Sequence, residues 1–100
     1  QDLQIKHMGH RIEMEEVECA MNAVRGVTKS CCVFDHKRNR MSGFYIGEAE
    51  PSEVRWHMKE KVPVYMVPSR IRQVAAMPLN KNGKTDRSYF QRLAEQSSPE

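Results

Sequence analysis

Two short apolar runs joined by a polar turn constrain most strongly how this chain can fold. Residues 27–34 and 41–46 are rich in apolar and β-branched side chains, whereas residues 36–40 are all polar and mostly basic. Runs of this length that are bounded by polar clusters are typical of neighbouring β-strands. We therefore predict a β-hairpin in the middle of the chain.

Helical patterns stand on both sides of this hairpin. Before it, apolar residues recur at helical spacing from residue 14 to residue 24, and Gly26 is a typical helix stop. After it, Pro51 suits the first turn of a second helix, and Pro63 ends the apolar residues that follow at four-residue steps. The hairpin is thus expected to have a helix before it and a helix after it.

Weaker patterns complete the predicted fold. Residues 70–74 alternate like a third strand, residues 4–11 alternate around Gly9 like a bent hairpin, and Asp86 is a typical N-cap for a last helix through Leu93. The fold class is therefore α+β: a small domain with a three-stranded central sheet flanked by helices and preceded by a short β-hairpin arm. We expect the domain to occupy residues 1–95 and residues 96–100 to form a disordered tail.

Composition limits the classes of function. The three cysteines include an adjacent pair and fit neither a disulfide framework nor a metal site, so we expect reduced, buried thiols at Cys19, Cys31 and Cys32 and a cytoplasmic location. The histidines show no ligand spacing either, so no metal site is predicted. No apolar run approaches the roughly 20 residues that span a bilayer. Trp56 is expected to be a packing aromatic.

Residues 78–87, with the sequence PLNKNGKTDR, are the segment most informative about chemistry. A nucleotide-binding P-loop would need a glycine five residues before Gly83, where Pro78 stands. On composition alone, the plainer interpretation is a solvated turn that carries a lysine.

This segment resembles the C-terminal signature of the adenylate-forming superfamily, which includes acyl-CoA synthetases, adenylation domains of nonribosomal peptide synthetases and firefly luciferase. Residues 2–13, DLQIKHMGHRIE, resemble the hinge-and-arm motif of that superfamily, and residues 62–68, VPVYMVP, are similar to its conserved extended segment. These three motifs stand in the right order and cover nearly the whole chain. The arm looks nearer to amino-acid-activating members that load a carrier protein.

The resemblance implies that the chain is the C-terminal lid of a two-domain enzyme. A large N-terminal domain, absent from this sequence, would bind ATP, Mg²⁺ and the carboxylic or amino acid. Lys84 falls on the catalytic lysine that reaches between the substrate carboxylate and the α-phosphate, with Asn82 and Gly83 supporting its loop. An ammonium fixed between two anions stabilises the charge that develops in the transition state.

The resemblance also assigns a second reaction to the lid. Asp2 falls on the hinge about which the lid rotates, and Lys6 and Gly9 fall on the arm that supports thioester formation. The acceptor would be coenzyme A or the phosphopantetheine of a carrier protein. Met8 stands where the family usually has a basic residue, which leaves open whether the second half-reaction is altered. The fragment alone is expected to be inactive.

A free-standing basic module that binds nucleic acid or another acidic partner is the alternative. It would use five basic residues: Lys37, Arg38, Arg40, Arg70 and Arg72. The net charge of +3 is modest, and no aromatic residues are interleaved with these cations. Both observations favour the lid and argue against nucleic acid as a partner.

Overall fold

The computed structural model describes residues 4–96, and its elements follow the predicted order. They are β1 (Gln4–His7), β2 (His10–Glu13), α1 (Met14–Asn22), β3 (Lys29–Asp35), β4 (Arg40–Ile46), α2 (Pro51–Lys61), a single 3₁₀ turn (Val64–Met66), β5 (Arg70–Gln73) and α3 (Arg87–Gln96). The predicted α+β class is confirmed.

A mixed three-stranded sheet in the order β3-β4-β5 forms the centre of the domain. The predicted hairpin is its antiparallel part, in which Lys29 lies opposite Ile46 and Asp35 lies opposite Arg40. Strand β5 lies parallel to β4 because α2 crosses over between them. The strand β4 is therefore central, and β3 forms one edge of the sheet.

Helices cover the sheet on both faces, which explains the nearly continuous apolar run of β3. Cys32 and Phe34 belong to a core that includes the apolar residues of α1 and α2. Cys31 and Val33 point to the other face, where they pack with Phe90 of α3. The helical pattern before the hairpin is confirmed, because four of its apolar residues are buried: Met14, Val17, Met21 and Val24.

The predicted hairpin arm is present as β1 and β2 and is docked on the domain. Met8 and Gly9 join the strands with left-handed φ angles of 55° and 80°, the combination that a two-residue type I′ turn requires.

On the inner side of the arm, the ring of His7 meets the ring of Phe34 edge-on, with the ring centres 5.2 Å apart. The ring of His10 stacks on the ring of Tyr65, in the 3₁₀ turn, at 3.8 Å. The arm is thus held by aromatic contacts on both of its strands.

Several boundaries differ from the sequence-based expectations. The segment 62–68 is not extended throughout, because the 3₁₀ turn (Val64–Met66) redirects the chain from α2 to β5. Strand β5 ends one residue early, at Gln73. Helix α3 continues past Leu93 through Gln96, the residue at which the expected tail begins, while its buried residues pack on the sheet. Residues 97–100 lie outside the described part of the chain.

Two side chains expected in the core lie at the surface instead. Cys19 is exposed, although Cys31 and Cys32 are buried as expected. Trp56 is 59% exposed and does not pack in the core. Within residues 4–96, no helix is both long and apolar enough to cross a membrane, and no group of three or more potential metal-ligating side chains occurs.

Candidate functional site

Lys84 lies on a short β-hairpin that connects β5 to α3. The backbone N–H of Asp86 donates to the carbonyl of Pro78 at 2.8 Å, and the N–H of Asn80 donates to the carbonyl of Lys84 at 2.6 Å. A bridge between Leu79 and Thr85 lies between these two bonds. The lysine therefore sits on a hydrogen-bonded turn rather than on a loose loop.

The turn itself explains the glycine beside Lys84. The N–H of Gly83 donates to the carbonyl of Asn80 at 2.9 Å, which closes a type I turn, and Gly83 then adopts a left-handed φ of 80°. A Cβ added at Gly83 would meet no atom within 4 Å. Positive φ, and not lack of space, is the reason that this position favours glycine.

Asn80 is a loop residue that the sequence-based site assignment did not include. Its side-chain Oδ1 accepts the backbone N–H of Asn82 at 2.8 Å and the backbone N–H of Lys84 at 3.1 Å. Asn82, predicted to support the loop, takes part through its backbone. The signal for Asn80 was present in the sequence, because asparagine is favoured at the first position of a type I turn.

The residues after Lys84 anchor the hairpin to the domain. The carboxylate of Asp86 accepts the N–H of Tyr89 at 3.2 Å and so caps α3, as predicted. The next residue, Arg87, forms an ion pair of 2.7 Å with Glu18 of α1. Burial acts to lower the pKa of Arg87, but the hydrogen bonds and charge of Glu18 outweigh it and raise that pKa above its ordinary value.

Lys84 lines an open cleft of about 540 Å³ between its hairpin, the start of α3 and the first turn of α1. The lining residues are polar or charged: Glu15, Asn80, Lys84, Thr85, Asp86, Arg87 and Ser88. Lys84 itself is exposed. The arrangement presents a primary ammonium at the rim of a polar cleft, where it can approach an anionic ligand.

The arm forms a second, smaller cleft. Lys6 and Gly9 line it together with Arg11, and its volume is about 350 Å³. Lys6 lies opposite Arg11 in the strand register, so two cations occur side by side on the outer face of the arm. A Cβ at Gly9 would meet nothing within 4 Å, which leaves the backbone at the arm tip accessible.

The predicted site residues therefore fall into two separate places. Lys84, Asn82 and Gly83 lie together on one hairpin, and Lys6 and Gly9 lie together on the arm. Among residues 4–96, none lines both clefts. Asp2, the predicted hinge, lies outside the described residues.

Arg38 and Arg72, two of the five basic residues of the alternative function, make side-chain contacts within the domain. The guanidinium of Arg38 donates to the buried carboxylate of Asp35 at 2.9 Å, and Arg72 lies over the ring of Phe44 at 5.5 Å. Burial acts to raise the pKa of Asp35, but the hydrogen bonds from Arg38 and Lys37 outweigh it and hold that pKa below its ordinary value. These contacts give no particular support to a basic binding surface.

The chain matches one family model and is similar in sequence to several known proteins. The family model of the AMP-binding enzyme C-terminal domain matches residues 16–84, from α1 to the lysine of the hairpin. The chain is 37% identical over 90 residues to N-(5-amino-5-carboxypentanoyl)-L-cysteinyl-D-valine synthase of Amycolatopsis lactamdurans, which covers 85% of the chain and 2% of that protein. It is 35% identical over 91 residues to tyrocidine synthase 1 of Brevibacillus parabrevis, covering 86% of the chain and 8% of that protein. The chain thus spans only a small part of the length of these relatives.

Solved structures share the fold. The chain matches Klebsiella oxytoca NpsA in complex with 3-hydroxyanthranilyl-AMSN with a TM-score of 0.82 and 21% identity, over 92% of the chain and 19% of that protein. It matches Mycobacterium tuberculosis fatty acyl CoA synthetase with a TM-score of 0.80 and 16% identity, over 93% of the chain and 20% of that protein. At these identities the likeness establishes the fold alone.

Proposed function

Because the chain belongs to the family of AMP-binding enzyme C-terminal domains, we propose that it is the mobile lid of an ATP-dependent ligase that activates a carboxylic or amino acid. A separate N-terminal domain holds ATP, Mg²⁺ and the acid in this proposal. The observation that carries the proposal is the placement of Lys84, exposed at the end of a hydrogen-bonded hairpin within the segment that matches the family.

Lys84 serves the first half-reaction. An oxygen of the substrate carboxylate attacks the α-phosphorus of ATP, the bond to the β-phosphate breaks, and pyrophosphate leaves. Both reacting groups are anionic, so an ammonium that donates to each offsets their repulsion and stabilises the transition state. Losing one such contact typically costs about 10²- to 10³-fold in rate.

The arm serves the second half-reaction, in which a thiol attacks the acyl carbon of the adenylate and AMP leaves. In this proposal Lys6 and Gly9 act at the acceptor, which is coenzyme A or the phosphopantetheine of a carrier protein. The likeness to N-(5-amino-5-carboxypentanoyl)-L-cysteinyl-D-valine synthase, whose name contains amino acid units, favours an amino acid as the substrate. The resemblance of the arm to members that load a carrier protein favours a carrier protein as the acceptor. Free, buried Cys31 and Cys32 suit a reducing compartment such as the cytoplasm.

In this proposal the domain turns as one body between the two reactions. The hydrogen bonds of the Lys84 hairpin and the aromatic contacts of the arm support this, because each segment is attached to the rest of the domain. A rotation near Asp2 moves both surfaces together, and hinges absorb such rotations in a few residues. The lid thus presents Lys84 first and the arm second.

Replacing Lys84 tests this proposal in the longer protein that carries the domain. Lys84→Ala should lower acid-dependent exchange of pyrophosphate into ATP by about 10²- to 10³-fold, while thioester formation from a supplied acyl-adenylate is largely retained. Lys81→Ala is the matched control, because Lys81 is an exposed lysine of the same turn. Undiminished exchange in Lys84→Ala, or an equal loss in Lys81→Ala, would refute the assignment.

A further inference from the structure

The side chain of Asn80 organises the turn that carries Lys84. Its Oδ1 accepts two backbone N–H groups, one from Asn82 at 2.8 Å and one from Lys84 at 3.1 Å. The backbone N–H of Asn80 also donates to the carbonyl of Lys84 at 2.6 Å, and its backbone carbonyl accepts the N–H of Gly83 at 2.9 Å. Asn80 therefore contacts the backbone of Lys84 through its main chain and its side chain.

These bonds are local and exposed, so their main effect is on the order of the turn rather than on the stability of the domain. Residues 80–84 are all exposed, and water can replace a lost bond to any of their N–H groups. Without the Oδ1 acceptor, however, the Lys84 N–H has no fixed partner, and the backbone that carries the lysine gains alternative conformations. The carboxamide of Asn80 is thus the acceptor for the Lys84 N–H, while the Lys84 carbonyl is held by the Asn80 N–H.

We propose that Asn80 is a positioning residue for Lys84, holding the backbone of the lysine in the geometry that the adenylation step requires. This inference rests on the proposed function of Lys84. It goes beyond that function by assigning part of the rate to a residue that acts through the backbone of Lys84. Misplacement of a reacting group by about 1 Å can cost up to about 10²-fold in rate.

The test compares three variants of Asn80 and Lys81 in the longer protein. Asn80→Ala should lower kcat for acid-dependent pyrophosphate exchange by about tenfold, with little change in KM for ATP and with the second half-reaction retained. Asn80→Ser should recover most of the activity, because a serine oxygen can accept the same N–H groups more weakly. Lys81→Ala controls for any disturbance of the turn and should stay within about twofold of the parent.

A second measurement uses the 100-residue chain itself. Amide hydrogen exchange at Lys84 should become about tenfold faster in Asn80→Ala, while the urea midpoint of unfolding stays unchanged. Faster exchange confined to the turn supports a positioning role. Unchanged exchange at Lys84, or a general loss of stability, contradicts it.

The outcomes separate this inference from the proposed function. If Lys84→Ala abolishes exchange of pyrophosphate but Asn80→Ala stays within twofold of the parent, or Asn80→Ser is no better than Asn80→Ala, only the role of Asn80 is wrong. If Lys84→Ala leaves the exchange intact, the function of Lys84 is wrong, and the role of Asn80 is lost with it.

Discussion

The guanidinium of Arg87 holds the carboxylate of Glu18 in a two-point ion pair, with Nη1 2.7 Å from Oε2 and Nη2 3.2 Å from Oε1. Both side chains also bind the backbone of Cys32. Its N–H donates to the Glu18 carboxylate at 2.7 Å, and its carbonyl accepts from the Arg87 guanidinium at 2.8 Å. The pair therefore occupies the backbone N–H and carbonyl of Cys32 at the open edge of β3 and ties that edge to the first residue of α3, directly after the Lys84 hairpin. Exposed strand edges invite pairing with other chains, and at Cys32 both backbone groups already have partners.

Breaking this pair should destabilise the domain. Glu18→Ala leaves a partly buried guanidinium without its counter-charge and the Cys32 N–H without an acceptor, so we expect a loss of about 2 to 3 kcal/mol in the free energy of unfolding. Urea denaturation at neutral pH measures it. Glu16→Ala, on the exposed side of the same helix, is the control and should change stability by less than about 0.5 kcal/mol. Additive losses in Glu18→Ala, Arg87→Ala and the double variant would show that the two residues do not act together.

Asp35 should make stability depend on pH in the acidic range. Its folded-state pKa lies below the ordinary value, because hydrogen bonds from Arg38 and Lys37 outweigh the effect of burial. The contribution is therefore present above the unfolded-state pKa of about 3.9 and is lost as the pH falls through the folded-state pKa. Asp35→Asn should lower the free energy of unfolding at neutral pH by about 1 to 3 kcal/mol and flatten its decline below about pH 4.

Urea titrations between neutral pH and about pH 3 test this dependence. Glu60→Gln removes an exposed carboxylate from α2 and should leave the slope unchanged. If Asp35→Asn declines with pH as steeply as the parent, the buried carboxylate is not the source of the acid sensitivity.

The three thiols should differ sharply in reactivity. Burial raises the pKa of Cys31 to about 12 and also raises the pKa of Cys32, with the charge of Glu18 adding to both effects. Cys19 is exposed. A disulfide reagent should therefore label one thiol quickly in the native chain and three in denaturant. Cys19→Ser should abolish the fast reaction, and a second fast thiol in the native chain would contradict the burial of the adjacent pair.

Local patterns were enough to predict the elements of the fold. The hairpin of β3 and β4 follows from two apolar runs around a polar turn, and both helices that flank it follow from apolar periodicity. The errors at Cys19 and Trp56 were avoidable by the same reasoning. Each lies two residues from the buried members of its helix, hence about 200° around the helix axis and on the opposite face.

Contacts between distant parts of the chain could not be predicted from such patterns. Glu18 and Arg87 are 69 residues apart, and neither position differs in sequence from an ordinary surface charge. The docking of the arm depends on which rings meet, as with His10 and Tyr65, and no periodicity encodes that pairing. The proposed roles of Lys84 and Gly9 rest on resemblance to a family, because a lysine beside a glycine turn occurs in proteins of many functions.

Gly9 and Gly83 provide a matched pair for the two half-reactions. Both have a φ of 80°, and a Cβ at either would meet nothing within 4 Å, so alanine imposes the same backbone cost of about 1 to 2 kcal/mol at each. We expect Gly83→Ala to slow acid-dependent pyrophosphate exchange and Gly9→Ala to slow thioester formation from a supplied acyl-adenylate, each by about tenfold. Asparagine tolerates left-handed φ, so Gly83→Asn and Gly9→Asn should recover part of each rate. If both alanine variants slowed the same half-reaction, the two surfaces would not serve separate steps.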